Sequence, residues 1–111
     1  TPDVLNYILS LLIIRNEHQQ IDEIVDFRRQ IDEYDHQMME LLAKRMRVCR
    51  QIGRYKRDHN ITIFQANRYN EILVKRGAQG ALCGMNADFI ATLFETIHEE
   101  SIRQQMDIIN Q

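Results

Sequence analysis

The chain has 111 residues, 44% of them hydrophobic, which is enough for one modest core and suggests a single domain with at most a short appendage. Its 14 Lys and Arg are balanced by 16 Asp and Glu, so the positive footprint of a nucleic-acid binder is missing and any anion site must be local. Two cysteines give no disulfide framework, and the apolar run from Ile8 to Ile14 is too short to cross a bilayer; a reduced, cytoplasmic protein is the expectation.

The chain opens with Thr1-Pro2-Asp3, which reads as an N-cap, a proline at the first helical position and an acid in the first turn. A short helix should follow, with Val4, Ile8, Leu11 and Leu12 on its apolar face. The polar run Arg15 to Gln20 then reads as a linker. Residues 1–20 are therefore set apart from residues 21–111, either as an accessory helix or as the tail of an upstream domain.

From Ile21 to about Asp58 the chain runs without proline and carries apolar side chains at helical spacing. On a wheel turning about 100° per residue, Ile24, Phe27, Ile31, Tyr34, Met38, Leu41, Leu42, Val48, Cys49 and Ile52 share one broad face, the face expected to be buried. Arg45 and Lys56 project into the middle of that face, with Arg28 and Asp35 on its flank. At about 1.5 Å per residue such a helix is roughly 55 Å long, whereas a compact domain of this size has a radius of gyration near 13 Å. A second subunit related by two-fold symmetry is expected along it.

Arg57 to Asn60 should end the long helix, and Ile61 to Phe64 form a brief extended connection. A second helix, with Ala66, Tyr69, Ile72 and Leu73 inward, is expected to stop at Gly77, since Lys75 and Arg76 occupy what would be its last turn. The stretch Gly77 to Gly84 holds three of the four glycines and reads as a loop. Asn86 should cap a third helix, with Asp88 in its first turn, running to about Ile109. Phe89, Ile90, Leu93, Phe94, Ile97 and Ile108 mark its apolar face, and Ser101 and Gln105 fall within that face. The fourth glycine, Gly53, lies inside the long helix, where it costs about 1 kcal/mol relative to alanine; close helix packing and a tolerated weak spot both explain it. The chain is thus all-α, three helices with one very long first helix.

Arg28, Arg45, Lys56 and Arg68 are cations on or beside apolar faces, accompanied by the neutral groups Gln65, Ser101 and Gln105. No balancing set of carboxylates accompanies them, and an unpaired buried charge costs several kcal/mol. Each cation taken singly could snorkel to water or pair with Asp35, Glu99 or Glu100. Jointly they point to an anionic ligand, and guanidinium forks with an ammonium suit a small dicarboxylate better than a phosphate. Arg45 and Lys56 are separated by about 16 Å along the helix, close enough for long side chains to grip one ligand. Arg28 lies roughly 26 Å from Arg45 and can join the same kind of site only from an antiparallel partner subunit.

The segments Arg28-Arg29-Gln30-Ile31-Asp32 with Asp35, Leu41-Leu42-Ala43-Lys44-Arg45, Ile52-Gly53-Arg54-Tyr55-Lys56, Arg68, and Glu99-Glu100-Ser101-Ile102 with Gln105 resemble the all-helical class of chorismate mutase. The resemblance implies an intertwined three-helix homodimer that converts chorismate to prephenate without metal, cofactor, nucleic acid or membrane. It implies that Arg45 and Ser101 hold the ring carboxylate, and that Lys56 and Arg28 of the other subunit hold the enolpyruvyl carboxylate. Lys56 and Gln105 would donate to the ether oxygen, and Arg68 would lend positive charge. Gln65 and Tyr69 stand where the family often has an aspartate and a glutamate beside the substrate hydroxyl, which bears on the choice between chorismate and isochorismate. Residues Thr1 to Arg15 also look like the closing helix of a 3-deoxy-7-phosphoheptulonate synthase, to which such domains are sometimes fused. Two rival readings are an isochorismate-pyruvate lyase using the same cations and a non-catalytic helical dimerisation or regulatory module. His18, His36, His59 and His98 are scattered and read as surface or helix residues.

Overall fold

The structure is a computed structural model that describes residues 2–111, with the side chains of Pro2 and Arg15 outside the description. Thr1, the expected N-cap, lies outside the described residues. The fold is all-α: α1 spans Pro2–Asp58, α2 Ala66–Leu82 and α3 Ala87–Ile109. By internal contacts the chain divides into two compact units, residues 1–41 and 42–111.

The expected linker at Arg15 to Gln20 is helical, so the short and long helices are one. The physical reason is local: the run is polar but contains neither glycine nor proline, and Arg, Glu and Gln are good helix formers. Polarity there sets exposure and does not break the helix.

The first unit is helix alone, and the face read from its periodicity as buried is open in the single chain. Phe27, Ile31, Tyr34 and Met38 each keep more than half of their surface exposed. A lone helix has no second element in its unit to cover that stripe. Its described side-chain interactions are short-range, such as Asp26 with Arg29 and His36 with Glu40 at 3.0 Å.

The second unit contains the core. Cys49, Ile72, Ile90 and Ile108 are its buried apolar residues, and His98, Ser101 and Gln105 are buried beside them. Gly53 is buried because α1 and α3 nearly touch there: a Cβ on it would stand 3.0 Å from Gln105 Cα. Close packing is therefore the reason for that glycine. A Cβ on Gly80 would likewise meet Ile90 Cγ1 at 2.7 Å, so the α2–α3 approach requires a glycine at that point.

This packing also explains why α2 continues through Gly77 to Leu82, where a stop and a loop were expected. The turn comes later. Gly84 adopts φ +76°, its N–H donates to the Ala81 carbonyl, and the Met85 N–H donates to Gly80, which together form a Schellman cap. Helix α1 ends the same way, with Asn60 at φ 54° and the Ile61 N–H donating to Lys56. At the start of α3 the Asn86 side chain accepts from the Phe89 N–H at 3.0 Å, the expected cap. No helix among the described residues is long and apolar enough to cross a membrane.

Candidate functional site

The second unit carries a partly open cavity of ≈ 250 Å³. Arg45, Cys49, Ile52 and Lys56 line it from α1, Ile63 and Gln65 from the connection, Arg68 and Ile72 from α2, and His98, Ser101, Ile102 and Gln105 from α3. Three of these groups are cations, and no carboxylate is among them. The lining therefore carries net positive charge.

Each polar group owes its place to a local feature. Arg45 lies on the inner face of α1, where its Nη1 donates to Ser101 Oγ and approaches Cys49 Sγ at 3.8 Å. The Ser101 hydroxyl donates to the Ile97 carbonyl one turn back, at 2.8 Å, which turns its lone pairs toward the guanidinium. Lys56 sits in the last turn of α1 and donates from Nζ to the Ile63 carbonyl at 2.7 Å. An ammonium has three donors, so this bond fixes its position and leaves capacity for a ligand. Gln65 occupies the N-cap of α2 in extended conformation, yet its side chain makes no capping bond and lines the cavity. Gln105 is held against the bare backbone of Gly53, and its Oε1 is buried without a hydrogen-bond partner.

Among the described residues, neither Arg45 nor Lys56 forms an ion pair. Glu100, a candidate partner from sequence, is taken: Arg103 binds it at 2.6 Å and, with Gln104, holds its carboxyl at about 2. Arg68 is more exposed and reaches Glu71 at 3.2 Å, a surface contact of small worth. Partial burial lowers the Lys56 pKa from its ordinary value, opposed weakly by Cys49. A charge so placed gains when an anion arrives.

Six residues expected at the site thus meet around one cavity: Arg45, Lys56, Gln65, Arg68, Ser101 and Gln105. Tyr69 does not line it; the tyrosine lines an adjoining groove with Phe64, His98, Glu99 and Ile102, its ring centroid 4.9 Å from that of His98. Arg28 belongs to the first unit and is exposed. His98, read from sequence as a surface or helix residue, is only 8% exposed and lines both the cavity and the groove. A sequence signal existed: His98, Ser101 and Gln105 follow at i, i+3 and i+7, one stripe of a helix. Burial and then the charges of Arg45, Arg68 and Lys56 lower the His98 pKa, so it is neutral in neutral solution.

Among the described residues no group of His, Cys, Asp and Glu could hold a metal ion. The side chains that line the cavity offer fixed positive charges and hydrogen-bonding groups.

Comparison with known proteins agrees with this inventory. The chain is 28% identical over 81 residues to the T-protein of Haemophilus influenzae, a match covering 73% of this chain and 22% of that protein. It is 28% identical over 82 residues to a 4-amino-4-deoxychorismate mutase of Streptomyces pristinaespiralis, covering 74% of this chain and 64% of the relative. With a bifunctional chorismate mutase/prephenate dehydratase of Buchnera aphidicola it shares 30% identity over 89 residues, covering 80% of this chain and 23% of that enzyme. The chain thus spans under a quarter of two of these relatives and just under two thirds of the third. Residues 27–106, which contain every lining residue of the cavity, match the family described as chorismate mutase type II, and the chain belongs to that family.

Proposed function

We propose that the cavity binds chorismate and rearranges it to prephenate. The single observation that supports this most strongly is the composition of the lining: three cations, three buried neutral hydrogen-bonding groups and no carboxylate. Chorismate carries two carboxylates and an ether oxygen on which negative charge grows as its bond to carbon lengthens.

In this reading Arg45 and Ser101, already bonded to each other, hold the ring carboxylate. Lys56 holds the enolpyruvyl carboxylate together with Arg28 of a second copy. The uncovered apolar stripe on residues 1–41 supports that second copy, because a helix face of this kind is not stable against water alone. Lys56 and Gln105 donate to the ether oxygen, the Gln105 amide turning about its soft terminal torsion to present its NH₂. Arg68 adds positive charge at the rim, and Gln65 offers its amide to the remaining polar groups.

Two physical effects accelerate the reaction. Clamping both carboxylates holds a flexible molecule in the folded conformer that can react. Fixed donors at the ether oxygen stabilise charge that exists fully only in the transition state. Bond breaking and bond making occur within one molecule, so no proton, electron or nucleophile is supplied. A million-fold acceleration corresponds to about 8 kcal/mol, within the combined reach of the two effects.

The test is to add chorismate to the purified chain, follow loss of its ultraviolet absorbance and convert the product with acid to phenylpyruvate. Prephenate at an enzymatic rate supports the mutase. Pyruvate released from isochorismate, with no action on chorismate, would replace it with the lyase. Protection against heat without turnover would indicate a binding or regulatory module.

A further inference from the structure

Around the cation cavity, one buried polar side chain has no role in the mechanism above. His98 is 92% buried by its 8% exposure, its Nε2 has no hydrogen-bond partner, and its ring lines the cavity. On its other side the ring packs against Tyr69 at 4.9 Å and edge-on to Phe64 at 6.2 Å between centroids. A buried nitrogen left without a partner is a standing cost to the fold, and such groups are rare enough to call for a reason.

The reason lies in what surrounds it. Arg45 and Lys56 from α1 and Arg68 from α2 each disfavour a proton on His98, and Glu99, its neighbour on α3, opposes them only weakly. Tyr69 from α2 and Phe64 from the connection contribute uncharged rings. His98 is thus a neutral hydrogen-bonding group among cations. The carboxylates of a dianionic ligand are matched by the cations, because an uncharged imidazole forms weaker hydrogen bonds to them than guanidinium or ammonium groups do. What remains on chorismate is its one neutral polar substituent, the ring hydroxyl. The ring already lines the cavity and histidine χ2 is a soft torsion, so rotation about it can present Nε2 to a ligand.

We propose that His98, alongside Gln65, reads the ring hydroxyl of the substrate, hydrogen-bonding it through Nε2 and so helping to set which ring substituent the site accepts. The inference rests on the chorismate mutase reading of the cavity. A hydroxyl satisfied by a neutral imidazole is discriminated from an ammonium in the same place, because an ammonium adds a fourth positive charge beside Arg45, Lys56 and Arg68. The site should therefore prefer chorismate over 4-amino-4-deoxychorismate.

The experiment compares the wild-type chain with His98→Leu and His98→Gln, using both compounds and recording thermal melts of each protein. Wild-type turnover of chorismate is measured first, and its absence would overturn the cavity reading and this assignment together. Given that turnover, His98→Leu should lower kcat/KM for chorismate by about 10-fold to 100-fold, the usual effect of removing one buried partner of a substrate hydroxyl. The preference for chorismate over the amino compound should also shrink, because the Nε2–H of His98 donates to a hydroxyl oxygen whereas an ammonium has no lone pair to accept that bond. His98→Gln, which keeps a donor and an acceptor, should recover much of the loss. The melting temperature of His98→Leu should be unchanged or higher, since an apolar group replaces an unpartnered nitrogen. A fall in melting temperature with kcat/KM within twofold of wild type would make His98 a structural residue and overturn the proposal. So would a wild-type preference for the amino compound.

Discussion

At the scale of single residues, Arg45 is a half-buried cation on the inner face of α1. Among the described residues its side-chain hydrogen bonds go to the neutral groups of Ser101 and Cys49, and neither neutralises its charge. Arg45→Ala should therefore remove turnover by at least about 100-fold, as expected for loss of a charged clamp, while circular dichroism still reports a folded helical protein. Unfolding of that variant would instead make the arginine a structural element. The pH dependence follows from Lys56 and His98. In the proposed mechanism Lys56 must stay protonated, and burial lowers its pKa below 10.5, so kcat/KM should be level across neutral pH and fall on an alkaline limb that begins below that value. Bound carboxylate favours the charged form, so the limb in kcat should lie higher than the limb in kcat/KM. His98 has the opposite consequence for stability. Its folded pKa lies below the ordinary 6.5, so the unfolded chain takes up the proton first, and stability present above 6.5 is lost as pH falls through that window. Thermal melts from neutral pH down to about 5 should show this decline, and His98→Leu should reduce it. Arg45, Lys56, Ser101 and Gln105 were legible in the sequence because charged or polar residues on a helical core face are anomalous in any single window. His98 shares the α3 stripe of Ser101 and Gln105, but histidine is unremarkable on a half-buried face, and its missing partner appears only when α2 and α3 are packed.

At the scale of the element, the helices report what periodicity can and cannot decide. The Asn86 cap and the end of α1 are local and were read correctly, since side-chain chemistry within one turn fixes them. The end of α2 is not local. Gly77, Gly80 and Gly84 look alike in sequence, but Gly80 serves contact with Ile90, Gly84 the left-handed cap, and Gly77 neither: nothing lies within 4 Å of where its Cβ would be. The three sites should therefore respond differently to alanine. Gly77→Ala should stabilise the fold by about 0.5 to 1 kcal/mol, because only helix propensity changes. Gly53→Ala gains the same propensity, but its Cβ meets the backbone of Gln105 at 3.0 to 3.2 Å, and overpacking costs about 1 to 3 kcal/mol. Denaturant melts should place Gly53→Ala below Gly77→Ala, and its kcat should drop because Gln105 is the group displaced. Equal stability and full activity in both would contradict the close contact. The helical run at Arg15 to Gln20 was misread for a related reason: polarity predicts exposure, whereas a break needs glycine, proline or a capping residue.

At the scale of the whole molecule, the decisive feature is the apolar stripe that the single chain leaves uncovered on residues 1–41, with Ile24, Phe27, Ile31, Tyr34 and Met38 all exposed. The sequence made the stripe legible but not what covers it, since burial against another chain and burial within one leave the same periodicity. A second copy lying along this helix would cover the stripe and deliver its Arg28 to the cavity lined by Arg45 and Lys56. The site would then be shared, and neither subunit would be competent alone.

The most direct measurement is complementation between two inactive variants, Arg28→Ala and Arg45→Ala. Each chain alone should fail to convert chorismate, because every site in either homodimer lacks one clamp. After mixing under conditions that exchange subunits, half of the dimers should be heterodimers, and each should contain one site with both arginines intact. Shared sites therefore predict recovery of about one quarter of wild-type turnover. No recovery in a sample shown to contain heterodimers would contradict them, as would full activity of Arg28→Ala on its own.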